Sequence, residues 1–341
     1  MKRYLVIQTA FIGDAILTLP LIQVLKKVEP EALVDAVVIP RTSELFSTHP
    51  AVDRVIVFDK RGGDRGISGL WRIARSVGEG RYEAALVPHR SLRSAFLARI
   101  GRVPVRIGFD RSAGWFLLTE TIRYQPSWHE VERNLSLLGP LGIQWKDKEL
   151  PTLFPGSIDV EKVDEFLAKS KFSDGAALAG IAPGSVWKTK RWLEDRYTEL
   201  TKNLLAEGFS VALIGGREDG RLCQEIKAGA ASPRVAVAAG ELSLLQSAEL
   251  IRRCRVLVSN DSAPMHLAVA MRTPVVAIFG ATVPEFGFAP YGNNSAILGT
   301  KGLPCRPCSV HGGQRCPIKT FDCMVNISTE DVSNKVRELI G

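Results

Sequence analysis

Short apolar runs alternate with longer helix-like stretches along the whole 341-residue chain. That rhythm restricts the fold to parallel sheets covered by helices. In the first half, strands are expected at residues 4–9, 34–40, 54–58, 84–88 and 105–109. Helices are expected at 14–28, 71–77 and 92–100, the first kinked by Pro20. The second half repeats the pattern, with strands at 177–182, 210–214, 256–259 and 274–279. Its helices fall at 194–207, 218–228, 243–254 (with Ser243 as the cap), 263–271 and 330–340.

The length suits two domains better than one core. A looser region at about 125–172 holds Pro126, Pro140, Pro151 and Pro155, and the boundary is expected inside 151–157. The division is therefore 1–155 and 156–341, with the last helix free to pack back on the first domain. Open parallel sheets bind ligands beyond the carboxyl ends of their strands. Two in tandem would place ligands in the cleft between them.

No apolar run reaches the roughly 18 residues that span a bilayer, and the opening Met1-Lys2-Arg3-Tyr4-Leu5-Val6-Ile7-Gln8 reads as a strand, not a leader. A cytoplasmic protein is expected, with its six cysteines as thiols or metal ligands and not disulfides. The net charge of +8 is local: residues 60–111 hold twelve Lys/Arg against four acids, and the rest of the chain is balanced. Such a field draws an anionic partner, which could be a phosphorylated or carboxylated substrate, an anionic membrane face or nucleic acid. Nucleic acid ranks low, because the segment lacks interleaved aromatics that stack on bases. Membrane attachment would be electrostatic and peripheral, since no long amphipathic basic helix is legible in the segment.

Three loops after strands carry candidate chemistry. In Gln8-Thr9-Ala10-Phe11-Ile12-Gly13-Asp14, the Asp14 carboxylate either caps a helix or serves as a general base. In Ala182-Pro183-Gly184-Ser185-Val186-Trp187-Lys188-Thr189-Lys190-Arg191-Trp192, Gly184 and Ser185 let a ligand approach the backbone. Lys188, Lys190 and Arg191 offer charge to a diphosphate, although the spacing is not that of a P-loop. In Val258-Ser259-Asn260-Asp261-Ser262-Ala263-Pro264-Met265-His266, a strand runs into a helix start. Its amides favour phosphate, while Asp261-Ser262 could equally be ordinary caps and His266 a structural histidine.

Taken in order, these loops resemble the ADP-heptose:lipopolysaccharide heptosyltransferases of glycosyltransferase family 9. The matching pieces are Gly13-Asp14-Ala15-Ile16-Leu17-Thr18-Leu19-Pro20, the stretch from Pro183-Gly184-Ser185 to Lys190-Arg191-Trp192, Ser259-Asn260-Asp261-Ser262 with His266, and Pro274 to Gly280 with Ala281-Thr282. The resemblance implies an α/β GT-B fold: two Rossmann-like domains whose parallel sheets face an interdomain cleft, acceptor on the first and nucleotide-sugar on the second. It also implies inverting transfer of heptose from ADP-heptose to the anionic inner core of lipopolysaccharide, with no cofactor required. Asp14 would be the catalytic base and Lys190 would neutralise the departing diphosphate. Ser185, Lys188, Glu218, Asp261, Ser262 and His266 would bind the donor, and Arg90 and Arg93 the acceptor. The enzyme would work on the cytoplasmic face of the inner membrane, with peripheral membrane contact. Rival readings are a GT-B transferase using another nucleotide-sugar for a different surface glycan, and an inactive nucleotide-sugar-binding protein.

One motif stands outside this scheme. Cys305-x2-Cys308-x7-Cys316-x6-Cys323 either binds a structural zinc or packs an irregular loop with reduced thiols. Cys223 and Cys254 belong to apolar helix faces and are expected in the core.

Overall fold

A computed structural model describes residues 1–172 and 175–341. The chain divides into two compact units, Met1–Phe154 and Pro155–Gly341.

The first unit is built in the order β1 (Arg3–Gln8), α1 (Ile12–Val28), β2 (Leu33–Val38), α2 (Ser43–Ser47), β3 (Arg54–Val57), α3 (Gly66–Glu79), β4 (Ala84–Val87), α4 (Leu92–Ile100), β5 (Val105–Phe109), β6 (Glu120–Ile122) and α5 (Glu130–Ser136). Its six strands form one parallel sheet in the order β3-β2-β1-β4-β5-β6. The central strands β1 (over residues 5–7) and β4 are apolar because both of their faces are covered. On one face, Ile73, Ala74 and Val77 of α3 and Leu97 and Ala98 of α4 pack on Leu5, Ile7, Ala85 and Val87. Elsewhere in the unit α1 packs along α5, and Asn134 Nδ2 donates to the Leu17 carbonyl at 3.0 Å. Helix α1 runs through Pro20 without a break.

The second unit continues with α6 (Ser157–Lys169), β7 (Leu178–Ala182), α7 (Glu194–Ala206), β8 (Ser210–Leu213), α8 (Gly220–Ala230), β9 (Val235–Val237), α9 (Leu244–Arg253), β10 (Val256–Asn260), α10 (Ala263–Ala270), β11 (Val275–Ile278), β12 (Ser295–Leu298), α11 (Asp322–Val325) and α12 (Thr329–Ile340). The sheet order is β12-β11-β10-β7-β8-β9, again all parallel. Its core joins Tyr197, Leu200 and Leu204 of α7 to Ile181, Val211 and Val258, with Val332 and Val336 of α12. Helix α12 thus contributes to the second unit's own core. Ser243 caps α9, its hydroxyl accepting from the Gln246 N–H at 3.4 Å. Cys223 and Cys254 are buried, as the helix faces require.

Two differences from the sequence reading stand out. The stretch read as loose contains α5 and α6. Strands β6, β9 and β12, which the sequence reading did not include, lie at sheet edges.

Candidate functional site

In each sheet the strand order reverses at one place, and the loops leaving the two strands there diverge to open a crevice. In the first unit that place is between β1 and β4. In the second it is between β10 and β7. The candidate residues fall on these loops or the helix starts that follow them, except Glu218, which follows β8.

Asp14 is the third residue of α1. The N-cap is Phe11, which makes no side-chain capping bond, so Asp14 is not the capping residue. It adds a negative charge to the first turn, where the helix dipole favours one. Its loop is pinned beneath it: Gln8 Nε2 donates to Thr18 Oγ1 at 2.7 Å, and Thr18 Oγ1 donates to the Asp14 carbonyl at 2.8 Å. Arg90 and Arg93 leave β4 on the neighbouring loop, both exposed. The Arg90 guanidinium stacks 4.2 Å above the Tyr124 ring.

The fold adds three groups here that sequence spacing did not reveal. Lys60 reaches across to the Thr9 carbonyl at 2.6 Å; burial first, then Arg93 and Arg61, hold its pKa below the ordinary lysine value. His89 lies 3.0 Å from Thr9 Oγ1 through Nδ1. Burial, then Lys60 and Arg90, push its pKa down to about 4, so the ring is neutral at physiological pH. Glu130, buried at the start of α5, is bonded to Arg133 Nη1 at 2.7 Å. Burial first, then the charge of Asp14, raise its carboxyl to about 7 against the pull of Arg133 and Arg90. The charge of Asp14 is thus felt at Glu130.

In the second unit Lys190 and Asp261 come together. Lys190 Nζ lies 2.6 Å from Asp261 Oδ2, with both side chains largely buried. Thr282 Oγ1 donates to the same carboxylate oxygen at 2.6 Å. An ammonium has three donors, so Lys190 can hold Asp261 and still face an anion. In this arrangement Asp261 orients Lys190.

Asn260 fixes the two loops to each other. Its Nδ2 donates to the Pro183 carbonyl at 2.8 Å, while its Oδ1 accepts from the Trp192 N–H at 3.0 Å and the Tyr197 hydroxyl at 2.9 Å. Ser262 caps the start of α10 by position, without a side-chain capping bond, and its hydroxyl donates to the Gly184 carbonyl at 3.4 Å. Ser185 is buried beside it, its carbonyl accepting from Arg191 Nε at 2.7 Å. His266 is buried one turn into α10.

Lys188 and Glu218 are exposed. Glu218 sits on the 3-10 turn Arg217–Asp219 after β8, at the same sheet edge as the Lys190 loop but outside the Lys190–Asp261 pair. Its neighbour Asp219 packs against Gly184, where a Cβ would stand 2.2 Å from the Asp219 carboxylate carbon. A side chain there would have to displace the Asp219 carboxylate, so Gly184 serves packing as well as close approach.

The cysteine segment lies against the Lys190 turn. The Thr189 N–H donates to the Gly313 carbonyl at 3.0 Å, and the Gly313 N–H returns a bond to Thr189 Oγ1 at 2.7 Å. Arg306 donates to the carbonyls of Gly280, Thr300 and Phe279 at 2.6, 2.7 and 3.1 Å. All six cysteines are free thiols. Cys305, Cys308 and Cys316 are partly exposed, while Cys323 is buried and its thiol is pushed up to about 11, chiefly by burial. Among the described residues no group of three or more His, Cys, Asp and Glu side chains is disposed to hold a metal ion. No helix among them is long and apolar enough to cross a membrane.

A family model for glycosyltransferase family 9 (heptosyltransferase) matches residues 70–317. Lipopolysaccharide heptosyltransferase 2 of Salmonella typhimurium is 32% identical over 294 residues, covering 83% of this chain and 84% of that protein. Lipopolysaccharide heptosyltransferase 1 of Pseudomonas aeruginosa is 32% identical over 327 residues, 90% of this chain and 86% of that protein. The solved structure of Escherichia coli ADP-heptose LPS heptosyltransferase II superposes with a TM-score of 0.81 at 25% identity, over 100% of this chain and 98% of that one.

Proposed function

The chain belongs to glycosyltransferase family 9 and is a glycosyltransferase of GT-B fold, and from that premise we propose that it transfers heptose from ADP-heptose to the inner core of lipopolysaccharide with inversion at the anomeric carbon. Its relatives are named heptosyltransferases 1 and 2, and the transfer is of that type.

The observation that carries the reading is the Lys190–Asp261 pair at the start of α10, on the switch point of the second sheet. Glycosyl transfer passes through an oxocarbenium-like state and sheds a diphosphate whose charge must be met as it forms. Lys190 meets that charge, and the positive end of the α10 dipole adds to it. Asp261 and Thr282 keep the ammonium in place. Ser185, Ser262 and His266 line the same loops and hold the nucleotide, with Lys188 and Glu218 at the rim.

The first unit supplies the other half of the reaction. Asp14 takes the proton of the acceptor hydroxyl as it attacks. Arg90 and Arg93 bind the carboxylates and phosphates of an inner-core acceptor. The steps use only side chains, so the reaction needs no cofactor. The donor places the enzyme in the cytoplasm, and a lipid-linked acceptor brings it to the membrane face.

The test is sugar transfer from ADP-heptose to purified, truncated inner-core lipopolysaccharide by wild type and Asp14→Asn. The expected result is transfer by wild type and a loss of roughly 10²-fold or more in turnover with ADP binding intact in the variant. A wild type that binds ADP but transfers nothing has another donor or acceptor. A variant nearly as active as wild type would remove Asp14 from the mechanism.

A further inference from the structure

The first unit carries a group of large apolar side chains that its core does not use. Leu92 and Phe96, one turn apart on α4, are 48% and 39% exposed. Trp115 and Phe116, on the 3-10 turn that follows β5, are 57% and 62% exposed. The four belong together. Gly114 lies so close to α4 that a Cβ there would stand 2.7 Å from the Ala95 Cβ and 3.1 Å from the Leu92 Cα. Trp115 therefore emerges beside Leu92. The Trp115 and Phe116 rings meet edge to face at 6.3 Å. Backbone bonds from the Ala113 N–H to the Arg90 carbonyl and from the Leu118 N–H to the Trp115 carbonyl, at 3.2 and 3.1 Å, fix the turn.

Helix α3 extends the group. It lies on the same sheet face as α4, and the two carboxyl ends touch, since a Cβ on Gly101 would stand 2.4 Å from Val77 Cγ1. The helices run side by side and parallel, so their first turns share the opposite end. There Ile67 and Trp71 are 75% and 58% exposed. This is the amphipathic character that the sequence reading did not find in the segment. The end concerned is the carboxyl edge of the sheet, where Asp14 begins α1 after β1, the neighbour of β4.

Charge surrounds the patch. Arg93 in the first turn of α4 and Arg111 before the 3-10 turn are exposed, and they belong to the segment that holds the whole net positive charge of the chain. Exposed Trp, Phe and Leu on a fixed platform, rimmed by arginine, match the interfacial zone of a bilayer. Rings settle at headgroup depth there, and anionic lipid supplies the countercharge.

We propose that the first unit docks on an anionic lipid bilayer through the first turns of α3 and α4 and the Trp115–Leu117 turn. The choice of a bilayer as occupant rests on the lipid-linked acceptor of the function proposed above. Docking there brings the mouth of the Asp14 loop to the plane in which such an acceptor is anchored.

The experiment is co-sedimentation of the full chain with vesicles of phosphatidylethanolamine and phosphatidylglycerol, and with vesicles of phosphatidylcholine alone. Wild type is expected to bind the anionic vesicles, to release as salt rises and to leave the zwitterionic ones largely unbound. Trp115→Ser/Phe116→Ser, and Phe116→Ser alone as a milder change, are expected to weaken partitioning, the double variant about tenfold or more. An unchanged ADP thermal shift would verify that both variants fold. The double variant should turn over a deacylated, soluble acceptor like wild type and lose rate only on vesicle-embedded acceptor. Failure of wild type to bind anionic vesicles, or equal binding by wild type and the double variant, overturns the surface. Vesicle binding that depends on Trp115 and Phe116, found with no transfer from ADP-heptose, would keep the surface and remove the sugar-transfer reading instead.

Discussion

Asp14, the base of the proposed mechanism, acts by its charge on Glu130. Asn134 lies one turn beyond Glu130 on α5 and bonds Leu17, which lies nearly one turn beyond Asp14 on α1. The two first turns are thereby set side by side. Arg133 holds the Glu130 carboxylate from one side and is itself fixed, with Nε on the Gln125 carbonyl at 2.9 Å and Nη2 on the Pro126 carbonyl at 2.8 Å. Tyr124 and Arg90 complete the surroundings. Burial and the charge of Asp14 place the Glu130 carboxyl at about 7, so it ionises across the physiological range. When it does, a second negative charge stands near Asp14, where the proposed mechanism needs proton uptake, and like charge favours that uptake. The transfer rate of wild type should therefore climb as pH rises through about 7. Glu130→Gln should lose that limb while binding ADP as before. The check is kcat against pH for both proteins, and two profiles of the same shape would reduce Glu130 to a packing role.

At the scale of elements, the cysteine segment shows what hydrogen bonding alone can do for an irregular stretch. Arg306 gathers carbonyls from the end of β11 and the loop beyond it, and Gly313 closes a two-way bond with Thr189 beside Lys190. The segment is thus tied to the Lys190 loop by hydrogen bonds. Chelation should leave the transfer rate unchanged, and metal analysis of the purified protein should give well under one zinc per chain. One zinc per chain, with activity lost on chelation and restored by zinc, would make Cys305, Cys308, Cys316 and Cys323 a structural site. The same scale explains what could be read in advance. Strands β1, β4, β7, β10 and β11 were legible because burial on both faces demands unbroken apolar runs. Strand β6 was not, with Glu120 and Thr121 exposed at a sheet edge. Helix α5 was hidden among prolines, and with it Glu130. The loops after central strands pointed to Asp14, Lys190 and Asp261 because those positions are local in sequence. Lys60 and His89 left no such signal, since their partners lie many residues away, and Thr282 entered only through the resemblance, its bond to Asp261 unforeseen.

For the whole molecule, among the described residues the groups with pKa values placed between about 4 and 7 are His49, His89 and Glu130, all of the first unit, so its stability should carry a distinct acid signature. His49 is buried, accepts from the Ala51 N–H through Nδ1 at 3.1 Å, and has its pKa pushed down to about 4 by burial. His89 is held at about 4 as well, by burial and then by Lys60 and Arg90. Between about 4 and the unfolded value near 6.5, each of these histidines binds a proton only in the unfolded chain. Stability from them is complete above 6.5 and is lost as pH falls through that window. Glu130 has the opposite sign. Its folded pKa of about 7 lies above the unfolded value near 4.3, so the folded chain holds the proton, and stability from this group declines as pH rises from about 4 to 7. The two effects compete, which makes the difference between variants more telling than either melting curve alone. His49→Asn keeps an acceptor for the Ala51 N–H but removes one titrating group, so the drop in Tm from pH 6.5 to pH 5 should shrink. Glu130→Gln removes the opposing group, and the same drop should widen. Thermal melts of the three proteins at the two pH values provide the check, and equal drops in all three would mean that the charges of the first unit are not what acid acts upon.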